Sequence, residues 1–175
     1  VPPDDPRSNY GAARDALLAH VAIPEANVHR MHGELPIDVA AERYVEEITR
    51  TFGLEMGALP RFDLLWLGLG PDGHICSLFP GDPQVDMLDQ LVVGVQHSTG
   101  PGPYVDRISL TLASVNAAKV IVFLINGAGK AGIAARALEE QPTSPDDRLP
   151  SQRVQPIEGQ MIWMLDMAAA GDLHL

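Results

Sequence analysis

The stretch that decides the fold is FDLLWLGLGPDGHICSLFPG, residues 62–81. Its first eight residues are apolar at nearly every position rather than at alternate ones. That pattern is typical of a strand buried on both faces, as in a parallel sheet covered by helices. The strand leads into a glycine-rich loop, and residues 68–73 (GLGPDG) match the pattern G-x-G-x-x-G. Such a loop either binds the phosphates of a dinucleotide or is a turn that presents catalytic side chains.

The dinucleotide alternative needs a full helix that starts at the glycines and an acidic residue about 20 positions further on, after the next strand. After Gly73 only HICSLF remains before Pro80, which is too short for two helical turns. Asp86 and Asp89 lie at a suitable distance, but no predicted strand leads to them. The pattern therefore argues against a dinucleotide-binding loop and favours a loop that presents side chains such as Asp72 and His74.

Helices and strands alternate along the rest of the chain. Helices are predicted from Ser8 or Asn9, from Asp38 to about Leu54 and after Lys130, on the basis of apolar residues at helical spacing. Further strands are predicted at residues 27–31, 91–96, 107–112, 120–125 and 161–166. This order predicts an α/β fold: a Rossmann-like three-layer sandwich with a mostly parallel sheet and helices on both faces.

Composition and charge limit the classes of function. The 175 residues are 46% hydrophobic, which is enough for a single domain with a core. With 12 basic and 23 acidic residues the net charge is −11, so a broad nucleic-acid-binding face is excluded and an anionic substrate needs local cations. Apolar runs are far shorter than the ~20 residues of a membrane span. The single cysteine, Cys76, allows no intrachain disulfide, and the cytoplasm is the simplest location.

Two polar residues of the loop are candidates for catalysis. Asp72 and His74 follow the carboxyl end of a predicted strand, where ligands bind in open α/β sheets. Gly70 and Gly73 would let the backbone approach a ligand closely. Imidazole is suited to proton transfer near neutral pH. The structural alternative is a turn in which Asp72 makes only local hydrogen bonds.

The same stretch resembles the central signature of the 6-phosphogluconolactonase family, G-x-G-x-D-G-H-x-x-S-L-F-P-G, without a break from Gly68 to Gly81. Other segments resemble the family in the same order: residues 1–18 (VPPDDPRSNYGAARDALL), 107–131 (RISLTLASVNAAKVIVFLINGAGKA) and 161–171 (MIWMLDMAAAG). The resemblance covers essentially the whole chain and implies the phosphosugar isomerase-like form of the α/β fold.

The resemblance implies hydrolysis of 6-phospho-D-glucono-1,5-lactone to 6-phosphogluconate, in the oxidative branch of the pentose phosphate pathway, without a metal or an organic cofactor. His74 would be the general base that activates water. Asp72 would orient His74 or hold a substrate hydroxyl. Backbone N–H groups near Gly70 and Gly73 would face the oxyanion.

Two cations are candidates for binding the substrate. Lys130 follows a predicted strand and opens a helix, where the ammonium and the helix N-terminus both suit a phosphate. The alternative is a solvated lysine. Arg107 begins the strand RISLTL and would lie on the substrate side only if that strand runs antiparallel; otherwise it forms a surface ion pair.

The related glucosamine-6-phosphate deaminases resemble the chain in the loop GPDGHI. They carry a glutamate at the fifth residue after the histidine, which assists opening of the sugar ring. This chain has Phe79 at that position, and a phenyl ring cannot transfer a proton. We therefore favour the lactonase, with a deaminase or a non-catalytic sugar-phosphate-binding fragment as alternatives.

The expected organisation is a single 6-phosphogluconolactonase-type domain over residues 1–175. Family members normally begin with a strand and a phosphate loop of the type S-G-G-[ST]-x-P, which residues 1–175 do not contain. The expected partner is a small phosphosugar lactone, with no nucleic acid and no membrane. The oligomeric state stays open, with a monomer favoured. We expect Cys76, Trp66 and Trp163 to be buried.

Overall fold

The computed structural model describes residues 1–98, 100 and 102–174. Within these residues the α-helices are α1 (Asn9–Ala16), α2 (Ile37–Phe52), α3 (Leu112–Asn116) and α4 (Ala131–Glu139). The strands are β1 (Leu65–Leu67), β2 (Val92–Val95), β3 (Arg107–Leu110), β4 (Val120–Ile125) and β5 (Gln160–Leu165). Short 3-10 helices lie at Leu18–His20, Glu25–Asn27, Pro83–Asp86, Ala128–Lys130, Pro145–Asp147 and Pro150–Arg153.

The strands form two sheets. A parallel sheet has the order β1-β4-β5, and β2 pairs with β3 in an antiparallel ribbon. The predicted α/β class with a parallel sheet is therefore confirmed. The strand predicted at residues 27–31 is wrong: Glu25–Asn27 is a short 3-10 helix and the backbone that follows it is irregular. The hydroxyl of Tyr44 donates to the His29 carbonyl at 3.3 Å, so a side chain rather than a neighbouring strand pairs with this oxygen.

The helix boundaries follow local sequence signals. The Ser8 side chain accepts a hydrogen bond from the Gly11 N–H at 3.0 Å, which caps α1 as predicted. Helix α2 ends at Gly53, whose φ of 60° lies in the left-handed region that glycine adopts without strain. The buried face of α2, which includes Ala41 and Ile48, packs against Val92 of β2. This packing places α2 on the antiparallel ribbon.

The main core lies on one face of the parallel sheet. Ile121, Phe123 and Ile125 of β4 alternate along that face and are almost completely buried. Ala134 of α4 packs into the same cluster. Trp163, which was expected to be buried, is only partly buried: it packs against the core and stacks on Phe123 with 4.0 Å between ring centroids.

The opposite face of the parallel sheet is apolar and exposed. Trp66 of β1 is in register with Val122 of β4, and its side chain is 62% exposed. Leu124, Ile162 and Met164 lie on the same side of their strands and are also exposed. The expectation that Trp66 is buried is therefore wrong. The unbroken apolar run showed that both sides of β1 are apolar, but it could not show which side the chain covers.

Candidate active site

The glycine-rich loop begins directly after β1, at the carboxyl end of the parallel sheet. Two backbone hydrogen bonds close it: the Gly70 N–H donates to the His74 carbonyl at 2.9 Å, and the Gly73 N–H donates to the Gly70 carbonyl at 3.0 Å. Gly73 has φ of 86°, which favours glycine. Both N–H groups are used within the loop, so an oxyanion would need donors from other residues.

The loop brings Asp72 and His74 into direct contact. His74 Nδ1 lies 2.6 Å from Asp72 Oδ1, and the same oxygen accepts the His74 backbone N–H at 3.2 Å. The two side chains are 21% and 28% exposed, so both reach solvent. When Nδ1 donates to the carboxylate, Nε2 carries the lone pair that can accept a proton. The pair has the geometry of a base oriented by an acid.

Gly70 lets the imidazole lie against the backbone. A Cβ atom added at Gly70 would be 2.0 Å from His74 Nδ1 and 2.2 Å from Cε1, far inside van der Waals contact. Any side chain at this position would therefore displace the ring. The glycine predicted to allow close approach to a ligand instead allows close approach of the candidate base.

A cavity of about 330 Å³ lies between the loop and Lys130. His74, Gly70, Cys76 and Lys130 contribute to its lining. The Lys130 ammonium donates to the Leu69 carbonyl at 2.6 Å, which fixes it beside the loop. Lys130 immediately precedes α4, as the sequence predicted. The structure therefore brings a candidate base and a candidate phosphate-binding cation into one cavity.

Arg107 lies in a different cavity, of about 360 Å³, together with Tyr10 and Arg30. Its strand β3 is antiparallel to β2, the orientation on which its predicted place depended. The guanidinium donates to the Arg7 carbonyl at 3.0 Å. Burial and the nearby positive charge of Arg7 lower the pKa of Arg107. A hydrogen bond of 3.1 Å from the Ser77 N–H to Ser109 Oγ connects β3 to the loop of His74.

Sequence reasoning missed the aromatic surroundings of His74. The rings of His74 and Phe79 have centroids 4.5 Å apart and are tilted by 48°. The other neighbour of Phe79 is His97, which stacks on it at 4.1 Å with an interplanar angle of 9°. His97 is 6% exposed and follows β2 by two residues. No spacing in the sequence relates His97 to the loop, because the contact depends on how the ribbon packs.

The chain is similar in sequence to a family of known proteins. A family model described as "Glucosamine-6-phosphate isomerases/6-phosphogluconolactonase" matches residues 1–163. The chain belongs to this family. The human 6-phosphogluconolactonase is 42% identical over 170 residues, which are 97% of this chain and 63% of the human protein. A Synechocystis 6-phosphogluconolactonase is 38% identical over 98% of this chain and 68% of its own length.

The family's fold is also found in solved structures. The crystal structure of 6-phosphogluconolactonase from Thermotoga maritima superimposes with a TM-score of 0.77 and 33% identity, and the match covers 94% of this chain and 67% of that one. The chain thus spans about two thirds of the length of this relative, and slightly less of the human one.

Cys76 differs from its predicted environment. It was expected to be buried, but it is exposed, and its φ of 50° is unusual for a residue with a side chain. A tight turn closed by the Leu78 N–H and the Ile75 carbonyl at 2.8 Å buries Ile75 and Leu78 and leaves Cys76 outside.

The described part of the chain has neither a cluster of metal ligands nor a helix suited to a membrane. Among residues 1–98, 100 and 102–174, no three His, Cys, Asp or Glu side chains are grouped so that they could hold a metal ion. No helix in the same residues has the length and hydropathy needed to cross a membrane.

Proposed function

We propose that this chain carries the catalytic centre of an enzyme that hydrolyses 6-phospho-D-glucono-1,5-lactone to 6-phosphogluconate. The observation that carries the proposal is the 2.6 Å contact between His74 Nδ1 and Asp72 Oδ1, in a structure that also places Lys130 in the cavity of His74. Membership of the family supports it, as do relatives named 6-phosphogluconolactonase at 42% and 38% identity.

The proposed reaction uses His74 twice. Nε2 takes a proton from a water molecule as the water oxygen attacks C1 of the lactone, and the carbonyl oxygen becomes an oxyanion. The imidazolium then returns the proton to the ring oxygen as the bond between C1 and that oxygen breaks. Asp72 stabilises the imidazolium through Nδ1–H and holds the ring in the tautomer that the first step needs. The products are a carboxylic acid and a hydroxyl group.

The phosphate of the substrate is assigned to Lys130. Its ammonium has three donor hydrogens, and the bond to the Leu69 carbonyl uses one of them. Two remain for a dianion in the cavity of His74. A local cation is needed there because the net charge of −11 repels an anionic substrate at long range.

Arg107 enters the proposal as a second cation. Its strand is connected to the loop of His74 through Ser77 and Ser109. We assign no catalytic step to Arg107, because it lines a separate cavity.

Phe79 favours the lactonase over the deaminase within the family. It is the fifth residue after His74, and its ring packs on the imidazole. It supplies no acid for opening a sugar ring, whereas the electrophilic C1 of a lactone is attacked directly by a water that His74 activates.

The rest of the proposal concerns the setting of the reaction. Residues 1–175 would act as a single catalytic domain in the cytoplasm, on a small phosphosugar lactone, and without nucleic acid, membrane or cofactor. We favour a monomer. The reaction would then be the lactone-opening step in the oxidative branch of the pentose phosphate pathway.

The test is the release of acid from freshly prepared 6-phosphogluconolactone by the 175-residue chain. We expect catalysis above the spontaneous rate and a loss of about 10²–10⁴-fold in kcat for His74→Ala, the usual contribution of a general base. Equal rates for the parent and His74→Ala would contradict the mechanism. If neither protein accelerates hydrolysis but both bind 6-phosphogluconate, the chain is a sugar-phosphate-binding module.

A further inference from the structure

Three aromatic rings from two parts of the chain lie in series beside the cavity. Phe79 contacts His74 with ring centroids 4.5 Å apart, and His97 stacks on Phe79 at 4.1 Å. His97, the ring of the series furthest from His74, is 6% exposed, so it is packed almost entirely against protein atoms. The His97 ring has a further neighbour in Tyr104, at 5.7 Å.

The segment that carries His97 also approaches Asp72. A Cβ atom added at Gly100 would lie 4.0 Å from both Asp72 Oδ2 and His97 Cε1. The hydroxyl of Tyr104 donates to the Gly100 carbonyl at 2.9 Å. Gly100 therefore lies beside the Asp72 carboxylate.

The proposed mechanism requires the His74 ring to keep one orientation, with Nδ1 toward Asp72. Rotation about the bond from Cβ to an imidazole has broad, roughly two-fold minima, so a half turn exchanges Nδ1 with Cδ2 at little intrinsic cost. One hydrogen bond to Asp72 and the contact with Gly70 oppose that rotation. A misplacement of the reacting atom by about 1 Å can lower the rate by about 10²-fold. A further contact that limits rotation of the ring would therefore raise the rate.

The geometry points to Phe79 and His97 as an aromatic brace, a pair of positioning residues that holds the His74 imidazole in the orientation needed for proton transfer. This inference rests on the proposed function of His74 as a base. In this arrangement His97 acts on His74 through Phe79: its parallel stacking keeps the phenyl ring in place, and the phenyl ring limits rotation of the imidazole. Neither residue contacts the reacting atoms or gains or loses a proton in the reaction.

The kinetic test compares replacements of His97 that separate its ring from its polar atoms. An aromatic pair contributes the equivalent of about a 2–10-fold change in an equilibrium. We expect His97→Ala to lower kcat about 5–10-fold and to change KM by less than about twofold. His97→Phe keeps a ring that can stack and should retain more than half of the parent kcat, whereas His97→Asn keeps a polar group without the ring and should behave like His97→Ala. His20→Ala, a replacement on the exposed segment Leu18–His20, is the control.

The spectroscopic test does not depend on turnover. In nitrogen-15 spectra of the histidine side chains, the parent should show His74 as a single Nδ1–H tautomer. His97→Ala and Phe79→Leu should show averaging toward the other tautomer or broadened His74 signals, while thermal unfolding reports whether each variant is folded. If the parent does not hydrolyse the lactone, the proposed function fails, but the His74 signals still test the brace. Parent-like His74 signals in both folded variants would overturn it, as would equal losses of kcat for His97→Phe and His97→Ala.

Discussion

His74 Nδ1 and Asp72 Oδ1 lie 2.6 Å apart, although the two residues are separated by only one position in the chain. A contact over so short a distance in sequence requires the tight turn that Gly70 and Gly73 make. The glycine pattern and the acid–base pair are therefore one feature: the glycines create the turn that lets the aspartate orient the histidine.

The first prediction concerns that contact. In Asp72→Asn the amide can donate to Nδ1, which places the imidazole proton on Nε2, where the reaction needs a lone pair. We expect kcat to fall by about 10²–10⁴-fold, as in other centres where a carboxylate orients a histidine, with KM almost unchanged. Initial rates of acid release measure both constants. Asp63→Asn is the control, since Asp63 pairs with Lys119 at an exposed site. A parent-like kcat in Asp72→Asn would show that Asp72 is only a turn residue.

The second prediction concerns Gly70. In Gly70→Ala the new methyl group would occupy the place of the His74 ring, only 2.0 Å from Nδ1, so the ring must leave Asp72. We expect a loss of kcat of about 10²-fold or more, comparable with the loss of the base itself. Gly68→Ala is a matched control two residues away, because a Cβ at Gly68 meets no atom within 4 Å.

Both glycine variants need the same measurements of folding and rate. We expect circular dichroism and thermal unfolding to show that Gly70→Ala keeps its secondary structure. Equal activities for the two glycine variants would mean that the position of the His74 ring does not matter for the reaction.

The loop of Asp72 and His74 was predicted from the sequence, and so were two strands of the parallel sheet. The turn of Asp72 and His74 is local, so its residue types and spacing were sufficient to place it at a strand end. Strands β4 and β5 were predicted to within one residue, because a continuous apolar run bounded by polar residues is a strong signal for a strand.

Long-range and packing-dependent features were not accessible in the same way. The Phe79–His97 stack joins residues 18 positions apart on different elements, and nothing in either local pattern refers to the other. Trp66 was expected in the core because its strand is apolar on both faces. That pattern does not show which face is covered by other parts of the chain. The exposure of Cys76 was missed because nothing in the sequence indicates a left-handed φ at a non-glycine residue. The stack depends on packing between distant parts of the chain, and the exposure of Cys76 depends on the backbone of a local turn.

The third prediction concerns phosphate binding and uses the two lysines of the chain as a matched pair. Lys130 lines the His74 cavity, whereas Lys119 forms an exposed ion pair with Asp63. A hydrogen bond to a charged group contributes about 1.5–3 kcal/mol, so Lys130→Ala should raise KM about 10–100-fold with a smaller effect on kcat. Lys119→Ala should leave KM within about twofold, because exposed ion pairs contribute little. Equal KM values for the two variants would remove Lys130 from the phosphate site.

The fourth prediction concerns the pH dependence of stability and involves Arg30 and Glu34, away from the His74 cavity. The two side chains form a bidentate pair at 2.7 and 2.9 Å, which holds the pKa of Glu34 well below its usual range, with a smaller effect from His32. A carboxyl whose pKa is lower in the folded state stabilises the fold above its unfolded-state pKa. That contribution is lost as pH falls through the folded-state pKa.

The sign of this effect can be measured with Glu34→Gln. Because the pair is partly exposed, we expect a loss of only about 0.5 kcal/mol in the free energy of unfolding at pH 7. The difference between variant and parent should stay nearly constant from pH 7 to about pH 5, and it should shrink as pH falls below the usual glutamate pKa of about 4.3. Glu55→Gln, on an exposed turn after α2, is the control. Urea unfolding across this pH range measures the difference. A gap between parent and Glu34→Gln that widens toward low pH would show that Glu34 is not held ionised by Arg30.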